Sequence, residues 1–357
     1  MLKSQKTGDR LLHAETKNMK KKILISDIAR DLGVSVTTVS FILNGKAKEK
    51  RISDGLTKRV LDYVKKVGYK PNELAKSLRT GKTKIIGLVI EDISNPFFAN
   101  IARLIEAKAY AKGYRILYCS TDNQPGKTVE LIELFRDRHV DGYIITPSEG
   151  VRDTVESLLA SHLPLVLFDR YIPGLNANYV ISDNVKGAYD ATAHLAQRGH
   201  KRIALVTLYS SQTQMRDRMN GYMRAIDTYQ LQPYVKKVNM GDDEQAVIQD
   251  FQAFLEDQQP DAIFFATNYL AIGGLKALKQ RNLPMPAVVS YDDHTLFKLF
   301  TPTITAVSQP IEAIADELIN TLLNQLEGKG KETKQVVLPS KLIIRESSSE
   351  QISATGN

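Results

Sequence analysis

From Lys84 onward the chain alternates short, unbroken apolar runs with amphipathic stretches, and this alternation limits the possible folds more than any other feature. "KIIGLVIED" reads as a buried strand, "PFFANIARLIEAKAYAKGY" as a helix ending at Gly113, "RILYCSTD" as a strand and "TVELIELFRDRHVDG" as a helix. "YIITPS", "LPLVLFDR", "IALVTLY", "DAIFFAT" and "AVVSYDD" continue the strand pattern. Strands with no polar face are buried on both sides, which calls for parallel sheets covered by helices above and below. The expected class is α/β. A hydrophobic fraction of 43% over 357 residues supports real cores and leaves room for a second, smaller domain.

The charge distribution locates that smaller domain. Residues 1–84 carry 21 Lys and Arg against 8 Asp and Glu, a net of +13, while the remainder carries 27 against 32, a net of −5. A basic module on a mildly acidic body suggests a nucleic-acid reader attached to something else. The plainer alternative is a solvated lysine-rich tail. Residues 1–22 contain no apolar h-region and do not read as a signal peptide. They read as a disordered basic leader, and Met19 is a possible start. The apolar runs are far shorter than a bilayer span. The single cysteine, Cys119, rules out an internal disulfide and a cysteine-based metal cluster. The expectation is a cytoplasmic protein with no membrane partner.

Within residues 23–69 the pattern is that of three short helices. Ser26 is a candidate N-cap for the first, with Asp27 in its first turn, Ile28, Ala29 and Leu32 at helical spacing, and Gly33 as a break. The second runs over 35–43, starts at Ser35, stops at Asn44-Gly45 and puts Val39, Ile42 and Leu43 on one side. The third, "LTKRVLDYVKKVGY", aligns Leu56, Val60, Tyr63, Val64 and Val67. Two short helices joined by a glycine turn, with a third behind them, are the helix-turn-helix plan. The second helix is built from Val, Thr and Ser, which are mediocre helix formers. A helix that enters a major groove needs a small outer face able to meet base edges, and Val36 and Thr37 project from its first turn. The alternative is an ordinary helix in a three-helix core.

Sequence signals for catalysis are weak. "TGKTK" at 80–84 and "GKT" at 126–128 look like pieces of a phosphate loop, but the glycine due five residues earlier is replaced by Lys76 and Thr121. No G-x-S-x-G, H-E-x-x-H or G-x-G-x-x-G occurs. The six histidines are scattered, and His194 and His200 read as surface or capping groups. The expectation is no enzyme, no metal and no cofactor.

"ISDIARDLGVSVTTVSFILNGK", then "GYKPNELAKSLRTGKT", then "IGLVIEDISNPFF" resemble the LacI/GalR family of bacterial transcriptional regulators. "VDGYIITPS", "LVLFDR", "GHKRIALVT" and "LPSKLIIRES" extend the resemblance over roughly residues 23 to 346. It implies a small all-α helix-turn-helix domain (23–69) and a hinge helix with linker (70–83). A two-lobed, periplasmic-binding-protein-like (type I) domain of parallel sheets flanked by helices follows (84–346), then a flexible tail (347–357). It implies base reading by Val36, Thr37 and Phe41. Ser35, Thr38 and Asn44 would touch phosphates or hold the helix. In the hinge, Leu78 would wedge into the minor groove, with Asn72, Ala75 and Arg79 beside the DNA. Phe41 departs from the pattern, because Arg or His is common there and a phenyl ring donates no hydrogen bond. The turn "KAKEKRIS" is also long and lysine-rich.

The resemblance further implies a ligand cleft at the carboxyl ends of the strands. Those ends carry Asp92, followed by Phe97 and Phe98, in "EDISNPFF", Asp169 and Arg170 in "LFDRY", Thr267 and Asn268 in "ATN", and Asp292 in "SYDD", while "RMNGY" offers Arg218 from the start of a helix. Carboxylates, amides and an arginine around an aromatic platform suit a polyol. The implied partners are double-stranded operator DNA, a small effector (sugar or sugar acid, with Arg218 available for a carboxylate) and a second copy in a homodimer. The implied role is a sequence-specific regulator, a repressor by the family's habit, under allosteric control. Two alternatives remain: control by a phosphorylated carrier protein, and a sugar receptor with no gene-control role.

Overall fold

The computed structural model describes residues 23–69, 81–239, 241, 243–280, 285–330 and 332–349. It divides between Gly81 and Lys82 into two units. The expected hinge contacts Asn72, Ala75, Leu78 and Arg79 and the basic leader lie outside the described residues.

The first unit holds α1 (Ile25–Leu32), α2 (Val36–Leu43) and α3 (Asp54–Val67). Ser26, the expected cap, lies inside α1 instead. The Asp27 carboxylate reaches back to the Leu24 backbone N–H at 3.0 Å, so an acid within the first turn takes over the capping task. Gly33, at φ 64°, turns the chain out of α1. Ser35 caps α2 as expected, its Oγ accepting the Thr38 N–H at 3.0 Å. Ile28, Ala29, Val39, Ile42 and Val60 form the buried core, with Leu43, Leu56, Tyr63 and Val64 packed around it. Arg59 donates to the Leu32 carbonyl at 2.7 Å and the Tyr63 hydroxyl to Asp31 at 2.5 Å, tying α3 to α1.

The second unit begins with β1 (Ile85–Ile90), α4 (Pro96–Ala111), β2 (Arg115–Ser120), α5 (Pro125–Asp137), β3 (Gly142–Ile145), α6 (Arg152–Ala160), β4 (Leu165–Phe168) and β5 (Tyr179–Ser182). The chain then crosses into a second lobe of α7 (Asn184–Gln197), β6 (Ile203–Leu208), α8 (Thr213–Thr228), β7 (Tyr234–Val238), α9 (Glu244–Gln258), β8 (Ala262–Phe265), α10 (Asn268–Gln280), β9 (Ala287–Tyr291) and β10 (Thr305–Ser308). It returns through α11 (Ile311–Leu326) and β11 (Gln335–Leu338) and crosses once more to β12 (Lys341–Ile343).

Each lobe is a six-stranded sheet, ordered β2-β1-β3-β4-β5-β11 and β7-β6-β8-β9-β10-β12. Every pairing is parallel except β10 with β12. The apolar strands β1, β3, β4, β6, β8 and β9 are buried as the pattern requires. β2 departs from it, because it lies at the edge of its sheet and leaves Leu117 and Tyr118 exposed. The chain passes between lobes three times. In the first lobe, Ile314, Leu318 and Leu322 of α11 join Phe97, Phe98 and Phe168 in one core cluster. No helix among the described residues is long and apolar enough to cross a membrane.

Two sequence expectations need correction. "ESSSE" reads as the start of a loose tail, yet Ser347 and Ser348 are buried. The Ser347 hydroxyl donates to the Val288 carbonyl at 2.6 Å, and Ser348 Oγ lies 2.6 Å from Thr305 Oγ1. Small polar side chains, bonded to strand groups, carry the packed chain past the expected boundary at 346. The same contacts bury His194, whose Nε2 lies 2.8 Å from Ser348 Oγ, so it is no surface group. Neither phosphate-loop lookalike is a phosphate loop: Thr83 and Lys84 give their backbone N–H groups to Asp141, and residues 126–128 lie in the first turn of α5, where the Thr128 hydroxyl donates to the Gln124 carbonyl.

Candidate functional site

Two surfaces carry chemistry, one in each unit. In the first, α2 presents a narrow face of small residues. Val36 is 45% exposed although it is apolar, and Thr37 beside it is exposed as well. Thr37 and Phe41 stand four residues apart, hence on one helix face. Phe41 is half-buried and lies outside the core cluster. The other three expected residues are bonded locally. Ser35 Oγ lies 2.8 Å from Thr38 Oγ1 in addition to its capping bond, and the Asn44 amide donates to the Ser40 carbonyl at 2.7 Å. Val36, Thr37 and Phe41 are thus offered outward, while Ser35, Thr38 and Asn44 close the ends of the helix that offers them.

In the second unit the candidate residues meet between the lobes, at the carboxyl ends of β1, β4, β8, β9 and β10. A small central cavity of about 40 Å³ brings together Phe97, Phe98, Asp169, Arg170, Arg218, Thr267 and Asp292. Phe97 and Phe98 have two roles, because both belong to the first lobe's core and also face the cavity. Phe97 stacks on Phe168 at 5.7 Å between ring centroids. Asp92 and Asn268 do not reach the centre. They line a neighbouring cavity of about 370 Å³. The Asp92 carboxylate is held at the entrance to α4 by the backbone and hydroxyl of Ser94, at 2.8 and 2.6 Å. A third cavity, of about 360 Å³, lies beside Tyr171 and Gln212.

The centre is an ordered set of buried charges. In the first lobe Arg170 pairs with Glu91 and, through Nε at 3.2 Å, with Asp169. In the second, Arg218 lies 3.5 Å from Asp292, donates to Asn184 at 2.9 Å and to the Ala266 carbonyl at 2.7 Å, and covers the Tyr291 ring at 3.7 Å. The α7–α8 crossing makes this possible. A Cβ on Gly221 would meet the Val185 carbonyl oxygen at 2.2 Å, so only glycine lets α8 approach closely enough to bring Arg218 onto Asn184. Asp169 and Asp292 both have left-handed backbone, at φ 66° and 69°, each just past a strand end of its own lobe. Non-glycine residues held this way collect at functional sites. The following acid, Asp293, is structural and forms a two-pronged pair with Arg345 at 2.8 Å on both arms.

Burial shapes the charges. It pushes the Asp169 carboxyl up to about 7, with Arg218 opposing and Asp292 adding to the rise. Burial also lowers Arg170 to about 9, which leaves it cationic at neutral pH. One acceptor is left over: Gln214 Oε1, on a side chain 4% exposed, has no hydrogen-bond partner although its amide nitrogen donates to Gln212. An orphaned buried oxygen in a cavity is a place for a donor from outside.

The sequence reading missed Glu91, Asn95, Gln214, Tyr269 and Gln309, which also line the centre. Gln214 was within reach, because it precedes Arg218 by four residues and shares its helix face. Gln309 closes β10, a strand hidden in the polar-looking "TPTITAVSQP". It donates to Asp292 and accepts from Ser182, joining positions 127 residues apart, for which no local pattern exists. No cluster of three or more metal-ligating side chains occurs among the described residues.

Comparison with known proteins gives two family matches. Residues 24–72 match bacterial regulatory proteins of the lacI family, and residues 192–348 match a periplasmic binding protein-like domain. The HTH-type transcriptional regulator DegA of Bacillus subtilis is 30% identical over 344 residues, 92% of this chain and 98% of that protein. The HTH-type transcriptional repressor PurR of Actinobacillus pleuropneumoniae is 28% identical over 308 residues, 85% of this chain and 91% of the relative. A LacI family transcriptional regulator from Enterococcus faecium, solved with bound ribose, superposes with a TM-score of 0.66 at 27% identity over 74% of this chain and 98% of that one.

Proposed function

This chain belongs to the lacI family of bacterial regulatory proteins, and from that premise we propose a transcriptional repressor whose hold on operator DNA is set by a small neutral polyol bound between its lobes. The observation that carries the reading is the composition of the cleft centre: two arginines, three carboxylates, an orphaned acceptor and a phenyl face, contributed by both lobes. Hydroxyl groups can donate to Gln214 and Asp292 and accept from Arg170 and Arg218, while Phe97 covers a C–H face. The charge count decides between a sugar and a sugar acid. Arg170 is engaged by Glu91 and Arg218 by Asp292, so even with Asp169 protonated an added anion meets no free cation at the centre. The ribose in the enterococcal structure is of the same class.

The coupling follows from bonds across the cleft. Gln212 donates to Asn123 at 2.6 Å, the Ser211 backbone to Glu149 at 3.1 Å, and Arg216 to the Tyr171 hydroxyl at 3.1 Å. Asn123 Oδ1 also accepts from Arg170 at 2.8 Å, so an effector that recruits Arg170 disturbs a bond between the lobes. The change in lobe angle is the signal that alters operator affinity. A homodimer supplies two reading helices for a near-palindromic site. Exposed Tyr110, Leu117 and Tyr118 on one lobe and Leu296 and Leu299 on the other offer apolar surface for it.

Calorimetry with a panel of pentoses, hexoses and sugar acids, with and without operator duplex, tests the reading. A neutral sugar should bind, and operator should change its affinity by the factor that the sugar changes operator affinity. Binding of sugar acids alone would refute the charge argument. Silence toward the whole panel, with a response to a phosphorylated carrier protein, would move control from the cleft to a protein partner.

A further inference from the structure

The recognition helix lacks a cation: α2 has no basic residue in either end turn, and Phe41 occupies an outward position where a donor would be useful. The loop that follows provides one. Lys50 places its ammonium 5.4 Å from the centroid of the Phe41 ring, nine residues downstream of it. We propose that Lys50, seated on Phe41, is a specificity-determining residue that supplies the guanine-reading donor of this unit. The inference rests on the reading of this unit as the DNA reader.

The loop is built to hold that position. Lys46 donates its backbone N–H to the Phe41 carbonyl at 2.9 Å as the chain leaves α2, and Gly45 takes φ 72° to allow the turn. Lys50 then bonds back to the Lys46 carbonyl at 2.9 Å and Ile52 to the Ala47 carbonyl at 2.8 Å. Ala47 and Ile52 pack on the three-helix core, which anchors the loop at both ends. Phe41 shares its helix face with Thr37, four residues before it. The ring therefore serves as a seat: it is not used by the core, and its π-face attracts a cation. The ion pair of Lys50 with Glu49, at 3.2 Å, is between exposed groups, so phosphates nearby would dissolve it. A lysine carried on the outer face of the reading helix reaches O6 and N7 of guanine, whereas Lys48 on the same loop has no such seat and serves the sequence-blind phosphate backbone.

Selection of duplexes from a random pool by the full-length protein tests this, with Lys50→Met, Lys50→Arg, Lys48→Met and Phe41→Ala run beside the wild type. Lys50→Met should lose the guanine preference at one symmetric position per half-site and bind the wild-type site roughly tenfold to a hundredfold more weakly. Phe41→Ala should lose the same preference, and Lys50→Arg should keep it. Lys48→Met should weaken all sequences alike and lower the salt slope by about one charge. If the wild type selects a site and Lys50→Met selects the same one, the inference fails alone. If the wild type selects no sequence at all, the DNA-reader assignment fails and takes the inference with it.

Discussion

The two units put their candidate site residues on opposite sides of the solvent boundary. In the helix-turn-helix unit the face proposed to read DNA points outward, and a core of five buried residues supports it from behind. In the two-lobed unit the residues proposed to hold the effector are themselves buried: Asp169, Arg170, Arg218 and Gln214 are each at least nine-tenths hidden. An exposed face can change without disturbing the fold. A buried charged set cannot, because removing one partner leaves another charge unpaired in a dry site. Function and stability should therefore separate in the first unit and fall together in the second.

The strongest way to break that contrast is Arg218→Met. It strips Asp292 and Asn184 of their shared partner, so effector affinity should fall roughly a hundredfold or more and stability by about 3 kcal/mol. Calorimetry and urea unfolding read both, and full stability with full effector affinity would show that the cleft is not held this way. Next comes Gly221→Ala, whose methyl group would strike the Val185 carbonyl. A loss of about 2 kcal/mol is expected, with weaker effector binding as Arg218 shifts. Thr37→Ala belongs to the other unit and should show the separation. Operator affinity should drop about tenfold while the urea midpoint stays unchanged.

Two finer tests follow. Asn123→Ala removes the shared acceptor of Arg170 and Gln212. The sugar should still bind, but its effect on operator affinity should shrink several-fold, and an unchanged ratio would remove Asn123 from the coupling. The pH test concerns Asp169. Burial raises its folded pKa from an ordinary 3.8 to about 7, so the folded chain holds a proton that the unfolded chain releases. Stability from this group is complete below about 4 and is lost as pH rises through about 7. The melting temperature of Asp169→Asn should therefore decline less between pH 5 and pH 8 than that of the wild type, and parallel curves would show a carboxylate already ionised.

Legibility in the sequence follows the same divide. The spacing of Leu56, Val60, Tyr63 and Val64 announces the inner face of a helix, and "IIGLVI" announces a strand buried on both sides, because both signals are periodic and local. Seven of the nine expected cleft residues converge on the central cavity. Asp169, Arg170, Thr267 and Asp292 follow strand ends, which are marked where an apolar run stops, while Phe97, Phe98 and Arg218 stand on helices. Asp92 fell outside for a local reason, the turn it makes with Ser94. Glu91 was passed over in favour of its neighbour, although it is Glu91 that meets Arg170. Tyr269 and Gln309 carried no mark at all.

The α/β class and the outward Val36 and Thr37 of α2 were legible in the residues alone, because each depends on groups within a few turns of one another. The charge balance separated a basic amino-terminal module from an acidic body, and the division of that body into two lobes came only from the family resemblance. Which acids pair with which arginines, that Gln214 keeps an unused oxygen and that Lys50 rests on Phe41 emerge only in the folded chain. The reason is distance along the chain. Glu91 and Arg170 are 79 residues apart and Ser182 and Gln309 are 127 apart, and such groups meet only because sheet order and three crossings between lobes bring their strand ends to one cleft.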